Sequence, residues 1–322
     1  MEMYVVKSRF QEFAAFWRSA QTKVNFYIPG SLELRFEKDM RESVFFLSSS
    51  LDGEWDYQSE ESLIAFATDV IMQLSPACKV NKIETIVKSA FKPGVKNRRI
   101  WRGVVVQNGE VTCNPHPKIE YNDYIVKLRA ARNASELFNE FSDSFRYLEP
   151  HTDNYKAYSN RMRELLILSC TEIEANFSGI LEVNNVKPNR KNYNTGDFAK
   201  LIQVLYLKDW GASLKLRHGC GSSYPFKDWS VEKPTQTLQW YDAYNHVKHD
   251  AFDKLCLANF NAVYNAMSAL YILLIAQWGI SIFEELSLHV PFICISRPIY
   301  GIADIPVAID LDSHPQYASL AL

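Results

Sequence analysis

Apolar positions change their pattern near residue 130. Before it they fall in short, interrupted groups, and after it they recur with helical spacing over long stretches. In the first part, Phe10, Phe13, Ala14 and Trp17 share one side of a helix drawn over Phe10 to Ala20, and Glu61 to Leu74 has the same period. Leu32 to Glu37 alternates as a half-buried strand should, with Val44 to Leu47 as its neighbour and Asp52-Gly53 as turn chemistry. Ile100 to Val106, then Asn108-Gly109, then Glu110 to Cys113 spell a hairpin, because Asn-Gly accepts the positive φ angles of a type I′ turn. Tyr124 to Leu128 reads as one more strand.

In the second part a helix starts at Ser135 and Pro150 ends it. Arg161 to Glu182 places Leu165, Leu168, Ile173, Phe177, Ile180 and Leu181 on a wide apolar face. A polar break, Asn184 to Thr195, precedes a helix over Asp197 to Leu207, and the glycines around Cys220 mark a loop. Thr237 to Trp278 contains neither Gly nor Pro, which predicts two consecutive helices with a bend between Asp250 and Asp253 and a stop at Gly279. Val290 to Ser296 and Ile305 to Asp310 read as extended. The expected fold class is therefore α+β. A mixed α/β domain over residues 1–130 precedes a mainly helical domain over 131–290, and an extended tail, 291–322, packs on one of them.

The composition is ordinary for a globular chain: 322 residues, 47% hydrophobic and 22% charged. At about 150 residues per domain, two domains are expected. Thirty-five Lys+Arg against 37 Asp+Glu leave a formal charge of −2, so any polyanion site must be a local patch. The six cysteines have no CxxC and no metal-ligand spacing, and read as free thiols of a reducing compartment. The opening residues carry early charges and no apolar signal core, so a cytoplasmic location is expected. No charge falls between Lys254 and Glu284, a length that would span a bilayer. Asn261, Asn265 and Ser268 nevertheless form a polar stripe there, which favours the core helix of a bundle and no membrane partner.

Chemistry concentrates between Trp240 and Asp250. Asn245 and His249 stand four residues apart on one helix face, with Asp242 on the same flank. Trp240, Tyr244 and Val247 form another stripe, turned toward the core. An amide that donates and accepts, beside an imidazole that titrates near neutrality, makes a phosphate or sugar site, or else a polar face bonded under a loop. A basic run, Lys88, Lys92, Lys96, Arg98, Arg99 and Arg102, has no acid between Glu84 and Glu110 and is interleaved with Phe91 and Trp101. Such a run grips a phosphate backbone while an aromatic ring stacks on a base, or it is a solvated helix end and hairpin with Trp101 in the core. Glu172 and Glu174 lie on different faces of one helix, one of them available to orient His249 or a basic residue. No zinc spacing, nucleophile elbow or phosphate loop is present, and no metal or cofactor is expected.

The segment Tyr244 to His249 resembles the signature helix of the HEPN superfamily, a helical-bundle domain. Its setting does too: an acidic helix upstream, the Pro225 to Trp229 loop before it and a long apolar helix after it, over roughly residues 161–283. Many HEPN members are metal-independent RNases of toxin, antiphage and RNA-processing systems. Their pattern is an Arg, often a polar residue such as Asn, and a His four to six residues beyond the Arg. Asn245 and His249 match, whereas the Arg would fall at or near Tyr244, and none of Asp242, Ala243 or Tyr244 is basic. The resemblance implies attack of a 2′-hydroxyl on the adjacent phosphate, with His249 in proton transfer and a cation on the anionic oxygens. Lys248, Arg163, Arg217 or a second subunit would supply that cation. It also implies a homodimer with the motif helices facing each other. The candidate catalytic set is Asn245, Lys248, His249 and Glu172, the candidate nucleic-acid set Lys92, Lys96, Arg98, Arg99, Trp101 and Arg102. The expected partner is RNA or a nucleotide, bound or cleaved in a defence or toxin setting. The rival expectation is a non-catalytic interaction or dimerisation module.

Overall fold

The computed structural model describes residues 3–9, 12–20, 23–27, 59–74, 83–89, 95–102, 105–107, 110–112, 121–215, 219–250, 252–298, 307–308, 316–317 and 320. The strands expected over Leu32 to Glu37 and Val44 to Leu47, the Asp52-Gly53 turn, Lys92, and Arg217 lie outside the described residues.

The chain forms two compact units that are discontinuous in sequence. One comprises residues 1–96, 102–118 and 299–318, the other 97–101, 119–298 and 319–322. Five residues, Asn97–Trp101, thus belong to the second unit while the chain on either side of them belongs to the first. The sequence boundary expected at residue 130 falls inside a helix of the second unit, and the tail expected on one domain is divided between both.

In the first unit, β1 (Met3–Lys7), β2 (Glu12–Ala20), β3 (Lys23–Tyr27) and β4 (Thr85–Lys88) make an antiparallel sheet in the order β3-β2-β1-β4. Met3 to Val6 are all buried, as suits a strand hydrogen-bonded on both edges. The helix expected over Phe10 to Ala20 is β2 instead. Ala14, Ala15 and Phe16 are buried in succession, which erases the period of two, and the aromatic content favours a pleated surface. Phe16 lies opposite Tyr4 and their rings stack at 5.2 Å. Helix α1 (Glu60–Leu74) is where its period placed it: Leu63, Ala67 and Ile71 are buried, and the Ser59 hydroxyl accepts from the Ser62 amide. Of the expected hairpin the two arms pair over a shorter span than Ile100 to Cys113: Ile100 to Arg102 is not strand, and the Asn108-Gly109 turn lies outside the described residues. After β5 (Val95–Lys96), β6 (Val105–Gln107) pairs with β7 (Glu110–Thr112), Gln107 facing Glu110.

The second unit is a helical bundle with a small sheet. Helices α2 (Tyr121–Ser144) and α3 (Asn160–Val183) precede two short turns of helix, α4 (Thr195–Ala199) and α5 (Leu201–Val204). Strands β8 (Gly211–Leu214) and β9 (Ser222–Ser223) follow, then α6 (Gln239–His249), α7 (Phe260–Trp278), α8 (Ile282–Glu285) and β10 (Phe292–Ser296), the sheet order being β10-β8-β9. In the tail, β11 (Val307–Ala308) runs parallel to β6 and β12 (Gln316–Tyr317) parallel to β5.

Helix α7 is long and apolar enough to cross a membrane, yet it is buried at the centre of the bundle, packed against α2, α3 and α6. Asn259 caps its start, and Gly279, at φ 103°, bonds its N–H to the Ile275 carbonyl and ends it. Ser159 caps α3 in the same way, and Asn194 with Asp197 forms a capping box on α4. Helix α2 begins well before Ser135 and absorbs Tyr124 to Leu128, which is helix rather than strand. Its buried face includes Asp123 and Lys127, bonded to Arg98 and Glu285, and charge on the inner face hides the helical period. The helix expected over Asp197 to Leu207 is broken, with Tyr206 left-handed at φ 51°. The described architecture is α+β.

Cys170 and Cys220 are buried while Cys256 is exposed, and burial pushes the Cys220 thiol up to about 11 and Cys170 up as well. Native-state alkylation followed by peptide mass spectrometry should therefore label Cys256 first and Cys170 last of the four described cysteines.

Candidate functional site

Helix α6 is anchored by its aromatic stripe. Trp240, Tyr241, Tyr244 and Val247 are buried, and the Trp240 indole donates to the Pro225 carbonyl at 2.9 Å. Tyr241 donates its hydroxyl to Glu174 of α3 at 2.5 Å, and burial with that carboxylate raises its pKa. Asn245 and His249 lie on the opposite face, and Lys248 lies at the edge of the buried stripe. His249 and Lys248 are exposed and Asn245 is half-buried, and neither Asn245 nor His249 has a hydrogen-bond partner among the described residues.

Two cations stand at the C-terminal end of this helix, each held by a different support. Lys248 donates to the Tyr244 hydroxyl at 2.8 Å, with its ammonium 4.9 Å from that ring's centroid. The bond to Tyr244 holds the Lys248 pKa above its ordinary value, so the ammonium is charged at neutral pH. Arg163 of α3 donates its Nε to the Val247 carbonyl at 3.2 Å, a favourable place for a cation because the carbonyl end of a helix is negative. Tyr244 occupies the position where the family Arg would fall. It is 1% exposed, so it acts on the surface only through the lysine it holds. An amide, an imidazole and an ammonium thus project from the last turns of one helix, with a guanidinium bonded to its backbone.

Glu172 is placed elsewhere. Its carboxylate accepts from Asn133 of α2 at 3.4 Å, and the acid against α6 is Glu174, which touches Tyr241 rather than His249. The two-residue offset correctly put them on different faces, but only the packing of α3 between α2 and α6 decides which face meets which helix.

The basic run is divided between the two units. Arg98 makes a two-pronged bond to Asp123, both contacts 2.9 Å, and its peptide is clasped by the Asn184 side chain through both N–H and carbonyl. Arg99 is 8% exposed, with φ 57°. Its guanidinium donates to Gln277 Oε1 at 3.1 and 2.7 Å and to Asn176 Oδ1 at 3.3 Å, and lies 5.3 Å from the Trp278 ring centroid. It passes so close to Gly179 that a Cβ there would meet Nη1 at 2.2 Å. Burial lowers its pKa to about 10. The Trp101 N–H donates to the Ala276 carbonyl and its ring is 6.3 Å from Trp210. Arg98, Arg99 and Trp101 therefore pack on the helical unit, Arg98 and Trp101 half-buried and Arg99 buried, so that Arg99 offers no guanidinium to a phosphate backbone. Lys96, in β5, and Arg102 belong to the other unit.

Residues that the sequence did not single out include Tyr241 as a tether to Glu174, and Gln277 with Asn176 as the receptor for Arg99. Gln277 had one signal, being a lone polar residue near the end of an apolar run. Among the described residues no group of three or more His, Cys, Asp or Glu side chains is arranged to hold a metal ion. Compared with known proteins, the chain matches no family model, no curated protein and no solved structure.

Proposed function

We propose that the helical unit is HEPN-like and binds RNA across the C-terminal end of α6, where His249 cleaves it by a metal-independent route. The observation that carries this reading is the half-buried Asn245 and exposed His249 on one face of α6, with Lys248 on the same last turn and Arg163 bonded to its Val247 carbonyl. Lys248 and Arg163 would hold the phosphate oxygens, Asn245 would bond a ribose hydroxyl or phosphate, and His249 would take the 2′-hydroxyl proton or return one to the leaving 5′-oxygen. A homodimer belongs to the same reading, since facing motif helices would double the cations around one strand. The location is the cytoplasm, and a defence or toxin role follows from the resemblance alone.

The rival reading, a non-catalytic interaction module, has one observation in its favour: a buried tyrosine stands in place of the family Arg. Binding measured by fluorescence anisotropy on labelled single-stranded RNA separates the two. Affinity should fall with salt, and Lys248→Ala or Arg163→Ala should each weaken it and flatten the salt dependence by about one counterion. Salt-insensitive or absent RNA binding would leave the interaction module.

A further inference from the structure

A cavity lies away from the His249 face, beside the first turns of α6 and α7. It encloses about 440 Å³ and is lined by Tyr224, Asp228, Gln236, Gln239, Asn261 and Asn265, among others. Its polarity is built in. Asn265 is fixed by accepting from the Ser223 hydroxyl at 2.9 Å and donating to the carbonyl and Oδ1 of Asn261, so the Asn261 Nδ2 is left with both hydrogens for a ligand. Gln236, Gln239 and Asp228 likewise have no side-chain partner among the described residues. These are the Asn261 and Asn265 positions that interrupt the apolar run of α7, Asn265 being taken up by the buried Ser223 of β9 and the Asn261 Nδ2 left open.

We propose that this cavity binds a nucleobase, adenine, as a free nucleoside or within single-stranded RNA. Its described lining includes no Lys or Arg, which disfavours a phosphate inside it, while the carboxamides of Gln236, Gln239 and Asn261 offer donors and acceptors. An Asn or Gln amide pairs with the N6 amine and N7 of adenine through two bonds, and a carboxylate such as Asp228 accepts from an exocyclic amine but repels a carbonyl oxygen. The Tyr224 ring at the rim packs against Gly211 and has the Lys227 ammonium 5.9 Å from its centroid, so recognition of the base falls to the carboxamides and Asp228. The choice of a base over another neutral ring rests on the RNA reading above, but the open groups of the cavity do not.

The test is isothermal titration of the full chain with adenosine, uridine and glucose. Adenosine should bind and uridine should bind at least about tenfold more weakly, the range expected for one mismatched base edge. Gln239→Leu, exposed on the first turn of α6 and harmless to folding, should weaken adenosine, as should Asn261→Leu, whereas His249→Ala should leave it unchanged. No adenosine binding at millimolar concentration, glucose bound in its place, or adenosine binding indifferent to both cavity variants would overturn the proposal. Adenosine binding that persists in a chain that binds no RNA would overturn only the RNA reading. Absent adenosine binding with His249-dependent RNA cleavage intact would overturn only this one.

Discussion

Arg99→Ala should lower the urea unfolding midpoint of the helical unit by the equivalent of about 3–5 kcal/mol, the scale of breaking a buried charged network. The substitution removes both donors to Gln277 Oε1 and leaves that acceptor buried away from water, while Asn176 Oδ1 loses one donor and keeps Gln277 Nε2. An orphaned group costs about 1–3 kcal/mol. The guanidinium also fills the space between Gly179 and the Trp278 ring, so a cavity adds to the loss. Alanine and arginine bear the same strain at φ 57°, and the measured change therefore reports contacts rather than backbone. Arg99→Lys should recover part of the loss only, because a point charge cannot reproduce the fork to Gln277. An unchanged midpoint in Arg99→Ala would mean that Asn97–Trp101 is not seated in the bundle.

His249→Ala should reduce RNA cleavage by at least about 10²-fold, the lower end of what a positioned proton carrier contributes. The side chain is exposed and has no partner among the described residues, so its removal should shift stability by less than about 0.5 kcal/mol. That separation matters, because a structural histidine would lose fold and activity together. Thermal melts of the two proteins, run beside single-turnover cleavage, check both halves. Equal rates at equal stability would remove His249 from the mechanism and leave Lys248 and Arg163 as a binding surface.

Elements whose apolar face is uninterrupted were legible from spacing. The helices over Glu60–Leu74 and Asn160–Val183 form where their patterns placed them, and α7 stops at Gly279 as expected, although it starts at Phe260, beyond the bend expected between Asp250 and Asp253. The failures have a common physical origin in partners far off along the chain. Strand β2 buries consecutive residues because neighbouring strands and the sheet's covering supply both faces, and local periodicity cannot see them. Helix α2 hides Asp123 and Lys127 inside because Arg98 and Glu285 neutralise them there. Arg99 looked solvent-bound in a run without acids, yet its receptor, Gln277, comes from the far end of α7. At the candidate site the Asn245–His249 face and the inward Tyr244 stripe were legible from helical angles alone. Which glutamate would meet α6, and that Tyr244 would hold Lys248, depended on packing.

The most direct test of the account is the chemistry of the RNA ends left by the full chain in the presence of a chelator. Incubation of single-stranded RNA with the wild-type protein should give fragments ending in 2′,3′-cyclic phosphate, and His249→Ala should give none above background. Uncut RNA with the wild-type protein, or the same fragments from His249→Ala, would contradict a cleavage site at the end of α6.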